Sequence, residues 1–254
     1  MRLRSDNHSA FTRPDLLVVL VTGGLISTLG LSVLGNTLAR TDLVVCANNL
    51  RQVGRAFNLW ASDHADANPW WVRYSDGGSL VPSGQPTPAA INVPGVGPQP
   101  AALRNNAWLH FAFIHQELPS PTVLLCPADR DKLRAQDFST SQSVGYLSLS
   151  FRDRATSYLI GLHAFNPFPY SMLSGDRTLQ EGSANAACSA NVGAAYLLYR
   201  SSPTGWKPGL HAAAGNLLLN DGHVEEFSAS GLAWHLRSLD DQFGSGMDHF
   251  LKPD

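Results

Sequence analysis

With 254 residues and a formal net charge of −2, the chain has length for one large or two small domains and no excess of positive charge to recruit nucleic acid. Charged residues make up only 15% of it, against roughly a quarter in ordinary soluble domains. Aliphatic and aromatic residues continue to the C-terminal region, which excludes long disorder and fits a loop-rich extracytoplasmic domain.

Taken in chain order, residues 1–10 form a leader carrying Arg2 and Arg4. An uncharged apolar run follows at 16–34, roughly 28 Å as a helix at ~1.5 Å per residue, close to the hydrocarbon thickness of a bilayer. Arg2, Arg4 and Arg13 precede this run, so the positive-inside rule predicts a cytoplasmic N-terminus and a periplasmic body at the inner membrane. A cleavable secretory signal has a shorter apolar core and a small-residue cleavage site after it. Here the helical pattern continues instead. Leu43, Cys46, Leu50, Val53, Phe57, Trp60 and His64 recur in alternating steps of three and four, which keeps one face apolar. The pattern predicts one helix over 11–68, with a transmembrane segment at 16–34 and an amphipathic outer half that ends near Asn68-Pro69.

Residues 69–254 then make the predicted periplasmic globular domain. The stretch 76–100 is rich in Gly and Pro and reads as a surface loop or insertion. A short helix is predicted at 106–116, where Trp108, Phe111, Ala112 and His115 share a face. Strands are predicted at 122–125, 157–160, 171–173, 195–199 and 216–219. Asn220-Asp221-Gly222 separates Leu217-Leu218-Leu219 from His223-Val224-Glu225-Glu226-Phe227, and Asp-Gly supplies the positive φ of a tight hairpin. A last short helix runs through Leu232, His235, Leu236 and Leu239, with fraying beyond it. The predicted fold class is α+β: a long N-terminal helix, transmembrane half plus amphipathic half, packed on a largely antiparallel sheet.

The cysteines are Cys46, Cys126 and Cys188. One disulfide with one thiol left over is possible in an oxidising compartment, and Cys46 with Cys126 is the first pair to test. Three isolated buried cysteines are the competing reading. There is no Cys-x-x-Cys, so a zinc ribbon has no support. His211, Asp221 and His223 are metal-ligand types, but their spacing fits no catalytic motif. The preferred reading gives Asp221 to the turn and lets His211 bond to it across a loop, with no metal and no cofactor. Asp176 and Arg177 read as an ion pair or turn at a strand end. Trp60, Trp70 and Trp71 read as packing that seats the helix rather than as a sugar platform. No nucleophile elbow and no phosphate-cradling glycine loop occurs, so no catalytic residue is expected.

Both ends together resemble a known group. Ala10-Phe11-Thr12 with Asp15 and an apolar run looks like a prepilin-type cleavage and methylation segment. The stretch 46–64, CANNLRQVGRAFNLWASDH, is similar to the helix that follows it in pseudopilin-like bacterial proteins. CPAD at 126–129, LSGDR at 173–177 and an H-x9-DG pattern at His211, Asp221 and Gly222 complete the set. The resemblance implies a pilin-like fold and a non-enzymatic subunit of a type II secretion or type IV pilus-related system. It implies cleavage by a prepilin peptidase between Ala10 and Phe11, methylation of the new Phe11 amine, and pairing of that amine with Asp15 of a neighbouring subunit. The implied partners are other pilin-like or secretion-system subunits and the inner membrane.

The residues also carry a purely local reading of the same segment. Thr12 can cap a helix, Pro14 suits its first turn, and Asp15 lies near the positive end of the dipole. A membrane-anchored periplasmic domain that binds a ligand or carbohydrate without polymerising is the alternative function. A metal-dependent hydrolase is the third class.

Overall fold

The computed structural model describes residues 13–166, 168–180, 183–186, 195–199, 204–211, 213–239 and 247–253, with backbone only at 26–39, 183–186, 195, 197, 199 and 247. The leader, Ala10, Phe11 and Cys188 lie outside the described residues. The chain divides into two units, 1–41 and 42–254.

The first helix, α1, spans Arg13–Ser62. In the first unit its described side chains are those of Arg13 to Leu25, Arg40 and Thr41, and Leu16, Leu17, Val18, Val19, Leu20, Val21 and Leu25 are all exposed. Among the described residues no helix is long and apolar enough to cross a membrane. This overturns the predicted fold class in its defining element, the long helix with a transmembrane half. The described apolar side chains before the body, Leu16 to Leu25, cover about 15 Å at ~1.5 Å per residue, half of a hydrocarbon core. The rest of the expected span, 26–34, lies outside the described side chains.

The second unit combines helices with two antiparallel sheets. Its part of α1 buries Leu43, Cys46, Leu50, Val53, Ala56, Phe57 and Trp60, while Arg51 and Arg55 face solvent. The helix stops at Ser62 rather than near Asn68, because Ala65 and Asp66 turn to φ of 56° and 57°. His64 closes the end: its ring stacks on Trp60 at 3.6 Å between centroids, and its Nδ1 lies 2.7 Å from the Trp60 carbonyl.

The region expected to be a loop holds a hairpin, β1 Ala90–Val93 and β2 Gly97–Pro100, with Ile91 and Val93 buried. The second helix, α2, is Ala107–Phe113, and all seven of its residues are buried rather than one face. The predicted strand at 122–125 is instead a 3-10 turn, Pro121–Leu124. Ser120 accepts a bond from the Thr122 amide and Pro121 occupies the first position, a combination that starts a helical turn.

The large sheet contains β3 Tyr158–Gly161, β4 Met172–Asp176, β5 Ser183–Ala186, β6 Ala195–Tyr199, β7 Ala214–Leu219, β8 Val224–Ser228 and β9 Met247–Leu251. Their order is β5-β6-β9-β3-β4-β7-β8, antiparallel throughout. The last helix, α3, is Ala229–Ser238 and is capped by Ser228, whose side chain accepts from the Gly231 amide. The C-terminal stretch expected to fray supplies β9, which sits between β6 and β3.

Both faces of β3, β4 and β7 are covered, which explains the unbroken apolar run at 217–219. Tyr158, Ile160, Leu173, Leu218 and Leu251 join the core made with α1 and α2. Leu159, Met172, Leu217, Leu219 and Phe250 join Trp206, Phe227, Leu232 and Leu236 on the other side. The period of two along each strand assigns neighbours to opposite cores. Helix α1 meets the sheet at Gly54, where an added Cβ would lie 2.8 Å from Leu218 Cδ1 and 3.6 Å from Gly222 Cα.

Candidate functional site

Four sequence motifs that lie far apart in the chain converge beside α1. Cys46, on the buried stripe of α1, is disulfide-bonded to Cys126, which opens the CPAD segment just after the 3-10 turn. The Cα atoms are 5.3 Å apart, and neither cysteine has any solvent exposure. His211 lies over this bond with Nε2 3.3 Å from Cys126 Sγ. The same nitrogen is 3.8 Å from Oδ2 of Asp176, the last residue of β4.

Asp176 is fully buried, yet only one of its oxygens is satisfied. Oδ2 accepts from the Asn216 amide at 2.7 Å and from Asn216 Nδ2 at 3.3 Å. Oδ1 has no hydrogen-bond partner, and neither does His211 Nδ1. Burial pushes the Asp176 carboxyl up to about 7, against the two Asn216 bonds that favour its charged form, with a further push from Asp129. Burial also lowers the His211 imidazole, opposed by the negative charges of Asp42 and Asp129.

A second pairing locks the same segments. Arg177 grips Asp129 with Nε at 2.6 Å from Oδ2 and a terminal nitrogen at 2.7 Å from Oδ1, and it reaches Asp131 at 3.4 Å. This two-pronged pairing holds the CPAD segment to the end of LSGDR. The paired carboxylate raises the Arg177 guanidinium above its ordinary value. Asn49, one helical turn beyond Cys46, donates to the Leu125 carbonyl at 3.1 Å and to the Tyr158 hydroxyl at 3.4 Å. Asn216 Nδ2 donates to the Leu43 carbonyl at 3.2 Å.

His211 contacts the disulfide and Asp176, and the bond expected between His211 and Asp221 is not what the structure holds. Asp221 sits on the exposed hairpin turn, where its Oδ1 accepts from the His223 amide at 2.8 Å. Gly222 has φ of 87°, the left-handed conformation the turn demands. Asp15 lies in the first turn of α1. Trp70 is buried edge-on against Phe57 at 5.7 Å, Trp60 is buried, and Trp71 Nε1 donates to the Ala164 carbonyl at 3.1 Å. These three rings pack the helix end and form no open platform.

Sequence reasoning passed over Asn49, Asp129 and Asn216 as site residues. Asn216 carried a usable signal, since it is the lone polar residue entering the apolar run of β7. No family model, no curated protein and no solved structure matches the chain. The fold and site therefore define an α+β protein whose convergent motifs bind its first helix to a large antiparallel sheet.

Proposed function

We propose that this chain is a non-enzymatic, pseudopilin-like subunit of a type II secretion or type IV pilus-related system. It is held at the bacterial inner membrane through its N-terminal segment, with the body on the periplasmic side. The observation that carries this reading is the run Leu16, Leu17, Val18, Val19, Leu20 and Val21, whose side chains are 56–64% exposed on consecutive helical positions. Successive residues on a helix point about 100° apart, so six in a row are apolar all round. Such a surface calls for lipid or for the helices of other subunits. Arg2, Arg4 and Arg13 before it favour a cytoplasmic start.

The body supports the same reading. Its convergent polar residues are buried or half-buried and tie segments together: the disulfide, Asn49, Asn216 and the Asp129–Arg177 pair all join α1 or its neighbours to the sheet. A subunit that assembles through its helix needs that helix fixed firmly to its body. The disulfide suits the oxidising periplasm.

Mass spectrometry of the mature N-terminus in the native host is the test. A chain starting at N-methylated Phe11 is expected, the product of a prepilin peptidase acting after Ala10. A mature protein that retains Met1 or Arg2 sinks the processing step and leaves the anchored, non-polymerising binding domain as the better reading.

A further inference from the structure

We propose that Cys46, Cys126, His211 and Asp176 form a divalent-metal site of the zinc type when the two cysteines are thiols, and that disulfide formation expels the ion. One ligand atom from each of the four residues lies within 4.8 Å of all the others, and all four residues are buried. Two thiolates, an imidazole and a carboxylate are an ordinary donor set for tetrahedral zinc. With Zn–S near 2.3 Å and Zn–N near 2.0 Å, tetrahedral ligands stand roughly 3.3–3.8 Å apart. Here His211 Nε2 is 3.3 Å from Cys126 Sγ, close to the roughly 3.5 Å of a nitrogen–sulfur pair, and 3.8 Å from Asp176 Oδ2, a few tenths of an ångström wider than a nitrogen–oxygen pair. Without the bond between them, the two sulfurs can part to the same spacing from Cα atoms 5.3 Å apart.

An independent observation points the same way. Asp176 is fully buried, its Oδ1 has no hydrogen-bond partner, and the His211 imidazole comes no closer to its Oδ2 than 3.8 Å. A buried carboxylate with one oxygen unpaired is costly unless a proton or a cation satisfies it. A divalent ion at the centre of the four atoms supplies that charge. The Asn216 bonds to Oδ2 hold the carboxylate in place, as supporting residues do for metal ligands.

The two states interconvert by thiol–disulfide chemistry. A dithiol reductant gives two electrons and two protons to the Cys46–Cys126 bond and leaves as its own disulfide. The ion then displaces both thiol protons, so two S–H bonds are replaced by two metal–sulfur bonds and two protons go to solvent. In reverse, a disulfide-class oxidant takes two electrons from the thiolates and two protons from solvent and leaves as two thiols, the S–S bond forms again, and the ion leaves with its own charge unchanged. This inference concerns the body alone and does not depend on processing or assembly of the N-terminus.

Cobalt(II) titration of the full chain in detergent tests it, with Cys188→Ser in every sample to remove the third thiol. The chain is reduced with dithiothreitol in urea, desalted without oxygen and refolded with cobalt. One cobalt per chain is expected, with sulfur-to-cobalt charge-transfer absorption, and none is expected in the disulfide form. His211→Ala and Asp176→Asn should each weaken binding by more than about tenfold. Zinc should also protect Cys46 and Cys126 of the otherwise unchanged reduced chain from alkylation, a readout that needs no ligand variant to fold. Absence of binding, binding as tight in both variants, or alkylation indifferent to zinc would each overturn the proposal.

Discussion

Asn216 places two donors on a single oxygen of Asp176, its amide at 2.7 Å and its side-chain nitrogen at 3.3 Å, and the same side-chain nitrogen holds the Leu43 carbonyl of α1. The β4–β7 pairing runs Met172–Leu219, Ser174–Leu218 and Gly175–Leu217, and the Asp176 side chain takes over the Asn216 amide at the next step. One residue thus ends a strand pairing, secures a buried carboxylate and ties the helix to the sheet. Asn216→Ala removes two side-chain bonds in a buried setting, each worth about 1 kcal/mol net and more where a partner is left unsatisfied. Urea unfolding should show a loss of about 2–4 kcal/mol, and a loss below 0.5 kcal/mol, roughly the size of a surface substitution, would show that the three-way link contributes nothing.

Acid should destabilise the body through His110. This residue of α2 is fully buried, with Nε2 2.9 Å from the Arg104 carbonyl and Nδ1 without a partner. Burial lowers its imidazole from 6.5 to about 4, the Arg104 carbonyl pulling the other way. The unfolded chain therefore binds a proton before the folded one does. The stability held by neutral His110 is full above pH 6.5 and is lost as pH falls through 4, by an amount on the order of 3 kcal/mol. His110→Gln should flatten the decline in unfolding free energy between pH 6.5 and 4. An unchanged slope in that variant would assign acid sensitivity elsewhere.

How much of this was legible in the chain depends on the range of the interactions. The buried stripe of α1 could be read because Cys46, Leu50, Val53 and Phe57 recur with the helix's own period, and the β7–β8 hairpin because Asp221-Gly222 fits only a tight turn. β9 was hidden because Met247-Asp248-His249-Phe250-Leu251 is half polar; its place between β6 and β3 comes from partners distant in sequence. The β1–β2 hairpin was hidden by Pro98 and Pro100, which a two-stranded sheet tolerates at its edge. Thr122-Val123-Leu124 has strand-forming side chains, but Ser120 and Pro121 set the local backbone. At the site, residue types were readable and their meeting was not. Cys126 and His211 come together only because β4 and β7 are neighbours and α1 lies across them, and the same topology brings Asp129 to Arg177.

The contact of α1 with the sheet at Gly54 gives a packing prediction. Gly54 is a poor helix former, yet a Cβ there would press within 2.8 Å of Leu218, itself fully buried. Alanine adds one methyl group that the flexible end of Leu218 can yield to. Gly54→Val adds two more carbons against Leu218 and the backbone of Gly222, and overpacking of this kind costs about 1–3 kcal/mol despite the gain in helix propensity. Thermal unfolding of Gly54→Val should fall clearly below that of Gly54→Ala. Equal melting temperatures for the two would mean that the helix does not rest on the sheet at this point.

The disulfide closes a sequence separation of 80 residues. Constraining the unfolded chain over a loop of that size contributes about 4 kcal/mol in the chain-entropy picture. The Cys46→Ala, Cys126→Ala double variant should lose a similar amount and become sensitive to protease at temperatures the parent survives. A double variant within 1 kcal/mol of the parent, well below the usual range of about 2–5 kcal/mol, would place the stability of the body in the two sheet cores instead.

The exposed apolar run of α1 allows the proposed membrane attachment to be tested apart from folding of the body. Leu17 and Val21 are 62% and 56% exposed, one helical turn apart, and lie in the first of the two units. Placing Asp at both positions puts two carboxylates on one face of the segment. Each costs about 3 kcal/mol in a membrane-inserted helix, enough together to reverse most of the partitioning of a short apolar segment. Leu17→Asp with Val21→Asp should move the protein from the carbonate-resistant membrane fraction to the soluble fraction. The body, being the other unit, should melt within a degree or two of the parent, since surface changes of this kind stay near 0.5 kcal/mol. Retention of the double variant in the membrane fraction would show that residues 16–25 are not what holds the protein there. A body that melts much earlier would show instead that this run serves the fold.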